Sequence, residues 1–208
     1  MIRKCILLSA VLAFSIFGSP AMAVEEPAFK TVLEDGEFEV RDYPSLVVAE
    51  VTVRGEQKEA ANEGFRLLAG YIFGGNTRRQ GIAMTSPVAQ EPTSEKIAMT
   101  APVTQTQDAG TWTVRFTMPS AYSLEALPTP NDPKVQLRRV PPARFAVLRF
   151  SGLARPADVQ AKSEALLAAT KAHRLRTIGN VSLAQYNPPW TPWFMRRNEV
   201  MVPVEAAQ

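Results

Sequence analysis

Residues 38–55 read FEVRDYPSLVVAEVTVRG and residues 135–152 read VQLRRVPPARFAVLRFSG. Laid one over the other, 97 residues apart, they align without a gap. Arg41 meets Arg138, Pro44 meets Pro141, Ala49 meets Ala146 and Gly55 meets Gly152. Apolar residues agree at 38/135, 40/137, 43/140, 48/145, 51/148 and 53/150. Each stretch reads as a half-buried strand, a proline break, a β-branched strand and a closing glycine.

The same kind of segment follows each copy. Residues 57–73 carry Ala61, Phe65, Leu68 and Ile72 on one helical stripe, widened by Leu67 and Tyr71. Gly74-Gly75-Asn76 reads as a helix stop. A second helix is predicted over 156–173, with Pro156 in its first turn and Val159, Leu166 and Leu167 as apolar anchors. Further strands are predicted at 112–118, 182–186 and 199–204. The pattern predicts an α+β domain built on a duplicated unit, with pseudo-repeats at about 37–118 and 135–204. Residues 24–36 show little pattern, and proline-rich 119–134 reads as a crossing linker.

A shorter repetition lies inside the first copy. IAMTSPVAQEPTSEKIAMTAPV, residues 82–103, repeats Ile-Ala-Met-Thr and Pro-Val at an offset of fifteen. Strands are predicted at 81–88 and 96–103. An odd offset and a symmetric loop let both put their apolar residues on one face of a hairpin. Pro87 and Pro102 lack donors and belong at strand ends, bulges or an edge. Met84 and Met99 are thioethers that could ligate a metal or haem iron. Their place in an apolar alternation favours core packing.

The first 23 residues have the marks of a cleaved signal peptide. Arg3 and Lys4 precede the apolar run Ile6–Phe17, and Ala21-Met22-Ala23 offers a cleavage site. The expectation is an exported chain, periplasmic or extracellular, with one domain over 24–208 and no later transmembrane segment. Cys5 leaves with the leader, so the mature chain has no thiolate and no disulfide. Of 23 basic residues 21 then remain against 20 acids, a net charge of +1. That balance gives no electrostatic reason to expect nucleic acid as a partner. One histidine, His173, and no cysteine leave a zinc site short of ligands. No G-x-S-x-G elbow and no glycine-rich phosphate loop occurs.

Several separated motifs point to a family. They are Glu39-Val40-Arg41-Asp42-Tyr43-Pro44, the run Leu68–Asn76, Lys96–Val103, Tyr186–Trp190, and Arg196-Arg197-Asn198-Glu199-Val200. In this order they resemble the SOUL/haem-binding protein family over nearly the whole mature chain. The resemblance implies a duplicated β-α-β-β unit closing into a distorted antiparallel β-barrel flanked by two α-helices. It implies non-covalent binding of haem or another tetrapyrrole, and the scarcity of histidine and cysteine argues against an enzyme. The ligand would rest in a surface groove between the first helix and the loop joining the last two strands, here Asn187–Asn198. Family members share no single axial ligand.

The residues of that loop suit a flat apolar disc with two propionates. Three prolines stiffen it, Trp190, Trp193 and Phe194 offer aromatic faces, and Arg196 and Arg197 offer charge. The plainer reading is that the aromatics cap the barrel and at least one arginine makes a structural ion pair, since adjacent strand residues face opposite ways. Leu67 and Tyr71 are the groove candidates on the first helix, with packing against the sheet as the alternative. His173 is a candidate axial ligand, but it belongs to the second helix, where a capping or packing role is commoner. Two other functions stay open: an enzyme acting on tetrapyrroles, and an envelope protein that binds a protein partner or another amphipathic ligand. Oligomeric state is not legible.

Overall fold

A computed structural model describes residues 24–78 and 94–205. The predicted signal peptide, the strand predicted at 81–88 and Met84 lie outside the described residues. The chain runs β1 (Lys30–Asp35), β2 (Phe38–Tyr43), β3 (Leu46–Arg54), α1 (Gln57–Ile72), β4 (Asn76–Thr77), β5 (Val103–Asp108) and β6 (Thr111–Thr117). It continues with β7 (Thr129–Pro130), β8 (Gln136–Val140), β9 (Ala143–Ser151), α2 (Pro156–Ala172), β10 (Ser182–Gln185) and β11 (Arg197–Val204). Nine strands form one antiparallel sheet in the order β1-β2-β9-β11-β10-β5-β6-β3-β8, and β4 pairs with β7. The class is α+β, a curled half-barrel flanked by two helices.

The aligned stretches cross-pair. β2 pairs with β9 and β3 pairs with β8, each strand of one stretch taking its partner from the other. Tyr43 faces Ala143, and Leu46 faces Val140. These are equivalent pairs, because the alignment matches Tyr43 to Val140 and Leu46 to Ala143. The proline breaks explain why neither stretch folds back on itself. Pro44 and the Pro141-Pro142 pair interrupt the ladder, so the chain crosses between strands that are not neighbours.

Both helices cover one face of this sheet. α1 packs on β3 and β6, and α2 packs on β9 and β11. Beneath α1, Leu68, Tyr71 and Ile72 join Ala49, Val51, Val114 and Phe116 in one core cluster. Beneath α2, Leu166 joins Phe38, Val40, Ala146, Val200 and Val202 in a second. Met99 packs against the first cluster, the role its alternation favours.

The stripe of α1 is rotated from the predicted one. Its buried line is Ala60, Gly64, Leu68, Tyr71 and Ile72, while Phe65 is 40% exposed. Small residues cause the rotation. A Cβ on Gly64 would stand 2.5 Å from Val114 Cγ2, so the helix is seated on β6 where it has least bulk. Phe65 is displaced to the flank, where its ring meets Phe116 edge-on at 5.4 Å. We expect Gly64→Ala to destabilise the fold by ~1–2 kcal/mol, overpacking outweighing the gain in helix propensity. Adding Val114→Ala should recover much of that loss. Urea unfolding of the single and double variants decides it, and strictly additive losses would refute the close-packing account. Leu167, read as an anchor of α2, is likewise exposed, and Thr170 is buried beside Leu166 instead.

Two segments depart from the sequence reading. Residues 96–102 make no strand beyond a bridge at Thr100. Their backbone is committed to the end of α1 and to the N-terminal segment. Ile97 N–H donates to Ile72 O at 2.8 Å, Ala101 N–H donates to Glu25 O at 2.9 Å, and the Thr100 hydroxyl donates to Thr117 O. Asn76 secures the same junction, donating to Tyr71 O and Glu95 O and accepting from Glu95 N–H. Pro102 stands immediately before β5, at a strand end as predicted. The patternless leader 24–36 contains β1, an edge strand whose side chains are almost all exposed. Backbone pairing with β2 needs no apolar alternation, so nothing in its composition signals it. No helix among the described residues is long and apolar enough to cross a membrane.

Candidate functional site

Opposed residues of antiparallel strands share a face. The register therefore places Arg41, Phe145, Met201, Ser182 and Thr106 together on the face that neither helix covers. That face is where the sheet buries charge. The Arg41 side chain is 0% exposed, as is that of Glu199.

The pair is fully engaged. Arg41 Nη1 and Nη2 donate to Glu199 Oε2 and Oε1 at 2.8 and 3.1 Å. Arg41 Nε donates to Glu39 at 2.7 Å, and Nη1 also reaches the Tyr43 hydroxyl at 3.3 Å. Glu199 further accepts from the Tyr186 hydroxyl at 2.6 Å and from Arg197 Nε at 3.1 Å. Burial alone would raise the Glu199 pKa, but the Arg41 and Tyr186 hydrogen bonds and the arginine charges hold it below the ordinary carboxylate range. Burial would lower the Arg41 pKa, and its carboxylate and tyrosine partners more than reverse this. Tyr43 and Tyr186 are both pushed upward, chiefly by burial, and stay protonated, Tyr186 donating to Glu199 and Tyr43 accepting from Arg41.

Glu50 repeats the pattern nearer the β8 edge. Burial raises its pKa, and hydrogen bonds from Arg138 and Arg115 bring it below normal. Both glutamates therefore bind protons more weakly folded than unfolded. The stability they supply is complete above the unfolded value of about 4.3 and is lost as pH falls through the lower folded values. We expect the urea midpoint to be insensitive to these groups between about pH 5 and 7 and to drop below about pH 4.3. A midpoint that holds down to about pH 3 would contradict the assigned network.

The loop joining β10 to β11 stands at one end of this face. Trp193–Met195 form a 3-10 turn that packs near β9. Trp190, Trp193 and Phe194 are 84%, 61% and 61% exposed. Trp193 and Phe194 meet edge-to-face, with centroids 5.7 Å apart and rings at 88°. Arg196 ties the loop to itself: Nε donates to Thr191 O at 2.8 Å and Nη2 donates to Pro189 O. Arg197 turns the other way. Its guanidinium lies 3.7 Å over the Tyr186 ring and pairs with Glu26 and Glu199. Arg197 is thus the structural ion-pair residue, while Nη1 of Arg196 has no partner among the described residues.

The other sequence candidates are placed elsewhere. Tyr71 is 2% exposed, and its hydroxyl donates to Pro128 O at 3.0 Å, so it is a core residue. Leu67 packs half-buried against the same core. α1 and the loop lie over different strands, with β10 and β5 between β11 and β6 in the sheet. His173 caps α2, stacks on Phe38 at 4.9 Å and sets Nε2 3.2 Å from Asp35. Among the described residues no group of three or more His, Cys, Asp or Glu is arranged to hold a metal ion.

Arg41, Tyr43 and Glu199 stand within the family motifs, but the sequence assigns them no role. Charged and polar residues flank two of them, Asp42 beside Arg41 and Asn198 beside Glu199, so no local pattern marks either as buried. Only the pairing of β2, β9 and β11 brings Arg41 to Glu199, 158 positions away.

Known proteins resemble this chain in sequence and in fold. Heme-binding protein 1 of Xenopus tropicalis is 26% identical over 164 residues, 78% of this chain and 81% of that protein. The Xenopus laevis protein of the same name is 27% identical over the same shares. Among solved structures, the EcmrR C-terminal domain superposes with a TM-score of 0.57 at 9% identity, covering 82% of this chain and 98% of that one. A hydrolase from Listeria innocua gives a TM-score of 0.51 at 13% identity, covering 84% and 94%. Likenesses at such low identity concern the fold alone. The profile of the SOUL heme-binding proteins matches residues 24–203, from the segment before β1 almost to the end of β11, and the chain belongs to that family.

Proposed function

We propose that the protein binds haem or a related tetrapyrrole without turning it over, on a surface built around the Asn187–Asn198 loop. The observation that carries this is the exposure of Trp190, Trp193 and Phe194 beside one another on a loop that Arg196 braces. Large aromatic side chains left in water at a single place mark a surface that something apolar covers. Membership of a haem-binding family names the class of ligand. The residues fit such a group: aromatic faces match a flat apolar ring, and Arg196 Nη1 is free to donate to a carboxylate. On the helix side, half-buried Leu67 remains a candidate contact and buried Tyr71 does not. Axial ligation by His173 is not part of the proposal, because that ring is stacked on Phe38 and paired with Asp35. Export to the periplasm or the extracellular space, following removal of residues 1–23, belongs to the same reading.

The test is titration of the purified protein with haemin, followed in the Soret band. A saturable shift with a dissociation constant on the order of micromolar is expected. His173→Ala should leave that spectrum unchanged. Pigment recovered intact after incubation supports a binding protein; modified pigment or released iron would require an enzyme. Absence of any saturable change removes the proposal in favour of a protein partner or another amphipathic ligand.

A further inference from the structure

The uncovered face of the sheet holds a cleft of about 260 Å³, distinct from the exposed aromatics of the loop. Strands from both ends of the sheet line it, β2 and β3 included, so the curl of the sheet makes its walls. One wall is aromatic: Tyr43, Phe145 and Tyr186, with Tyr43 and Phe145 edge-to-face at 5.8 Å. Thr104 and Thr106 of β5 line it on the other side.

The cleft's charges are already spent. Glu199 beneath it accepts from Arg41, Tyr186 and Arg197, and Arg41 gives its donors to Glu39, Tyr43 and Glu199. Of the charged residues in the lining, Arg115 is 2.6 Å from Glu50 and Glu26 is 3.0 Å from Arg197. An ionic ligand would have to break one of these pairs. Thr104, Thr106 and Thr117 bring hydroxyls to the lining, and on the aromatic wall Tyr43 has the hydroxyl that is not already donating. The Tyr43 hydroxyl accepts from Arg41, and its own proton has no acceptor among the described residues. Burial keeps that proton in place. The volume falls below the roughly 300–1,000 Å³ typical of sites for drug-sized ligands.

We propose that this cleft is a second binding site, for a neutral aromatic molecule of one or two rings whose carbonyl or ether oxygen accepts the Tyr43 proton. It is independent of tetrapyrrole binding at the loop. Coumarin is a suitable probe, with naphthalene lacking the acceptor, and 2-naphthoate and 2-naphthylmethylammonium carrying charge. Titrations of the whole protein followed by amide chemical shifts should place coumarin at Thr104, Thr106 and Ser182, with a dissociation constant of about 1 mM or below. Tyr43→Phe should weaken coumarin about fivefold and leave naphthalene unchanged, as loss of one hydrogen bond predicts. Both charged probes should bind more weakly than coumarin, and Trp190→Ala should not affect it. Equal coumarin affinity in Tyr43→Phe, stronger binding of either ion, or shifts centred on the 187–196 loop would each overturn the proposal.

Discussion

Replacing Arg41 by alanine should lower the folding free energy by ~3–5 kcal/mol, the largest effect we expect of any single polar substitution here. The guanidinium is fully buried and holds two carboxylates and a phenol at once. Its removal leaves Glu199 buried, with Tyr186 and Arg197 as its remaining close donors. Desolvating a carboxylate with too few donors is costly, and the cost falls on the three neighbouring strands β2, β9 and β11 at the centre of one half of the sheet. The pair itself is another matter. An apolar replacement of both partners avoids both desolvation costs, so Arg41→Met with Glu199→Leu should be much less harmful than the two single changes added together. Arg197 would keep Glu26 as its partner in that background. Urea unfolding of the four proteins gives the coupling directly. A loss below about 1 kcal/mol for Arg41→Ala, or simple additivity, would show that the network contributes little to stability.

Local signals in the sequence and contacts made only in the fold divide along the same line. The strand–proline–strand–helix order was legible twice, because alternation, proline breaks and closing glycines are local signals. β2, β3, β8, β9 and both helices fall within a residue or two of their predicted places. Features set by tertiary contact were not legible. The buried stripe of α1 turns on the approach of Gly64 to Val114, fifty positions away. The phrase at 96–102 alternates as a strand should, yet its donors go to the end of α1 and to Glu25. β1 has no pattern because it pairs through its backbone at an exposed edge. In the candidate site, the aromatic character of the loop was plain from composition. The division of labour between Arg196, which braces the loop, and Arg197, which faces the buried network, followed in outline from strand alternation. For Tyr71 packing and groove both stay open in the sequence, because a residue on the flank of a helical stripe is core or groove according to what stands opposite, and here Pro128 does.

The aromatic loop permits a sharper test than loss of binding alone. Trp193 and Phe194 stand at 88° to each other, so only one of them can lie flat on a planar ligand. The other stacking face then has to come from Trp190, the most exposed of the three. Stacking of a flat ring on an aromatic side chain is worth roughly 1–3 kcal/mol, so Trp190→Ala with Trp193→Ala should weaken haemin by at least about 30-fold. Because both side chains lie mainly in water, the same double variant should shift unfolding free energy by less than about 0.5 kcal/mol. Phe194→Ala alone should cost less affinity than either tryptophan if its edge, not its face, meets the ligand. Tyr71→Phe supplies the opposite pattern. It removes the hydrogen bond to Pro128 in the core and should lower stability by ~1 kcal/mol while leaving haemin affinity unchanged. If the loop variant binds haemin as the parent does, or if Tyr71→Phe weakens binding while the fold is intact, the ligand lies elsewhere and the exposed loop serves another partner.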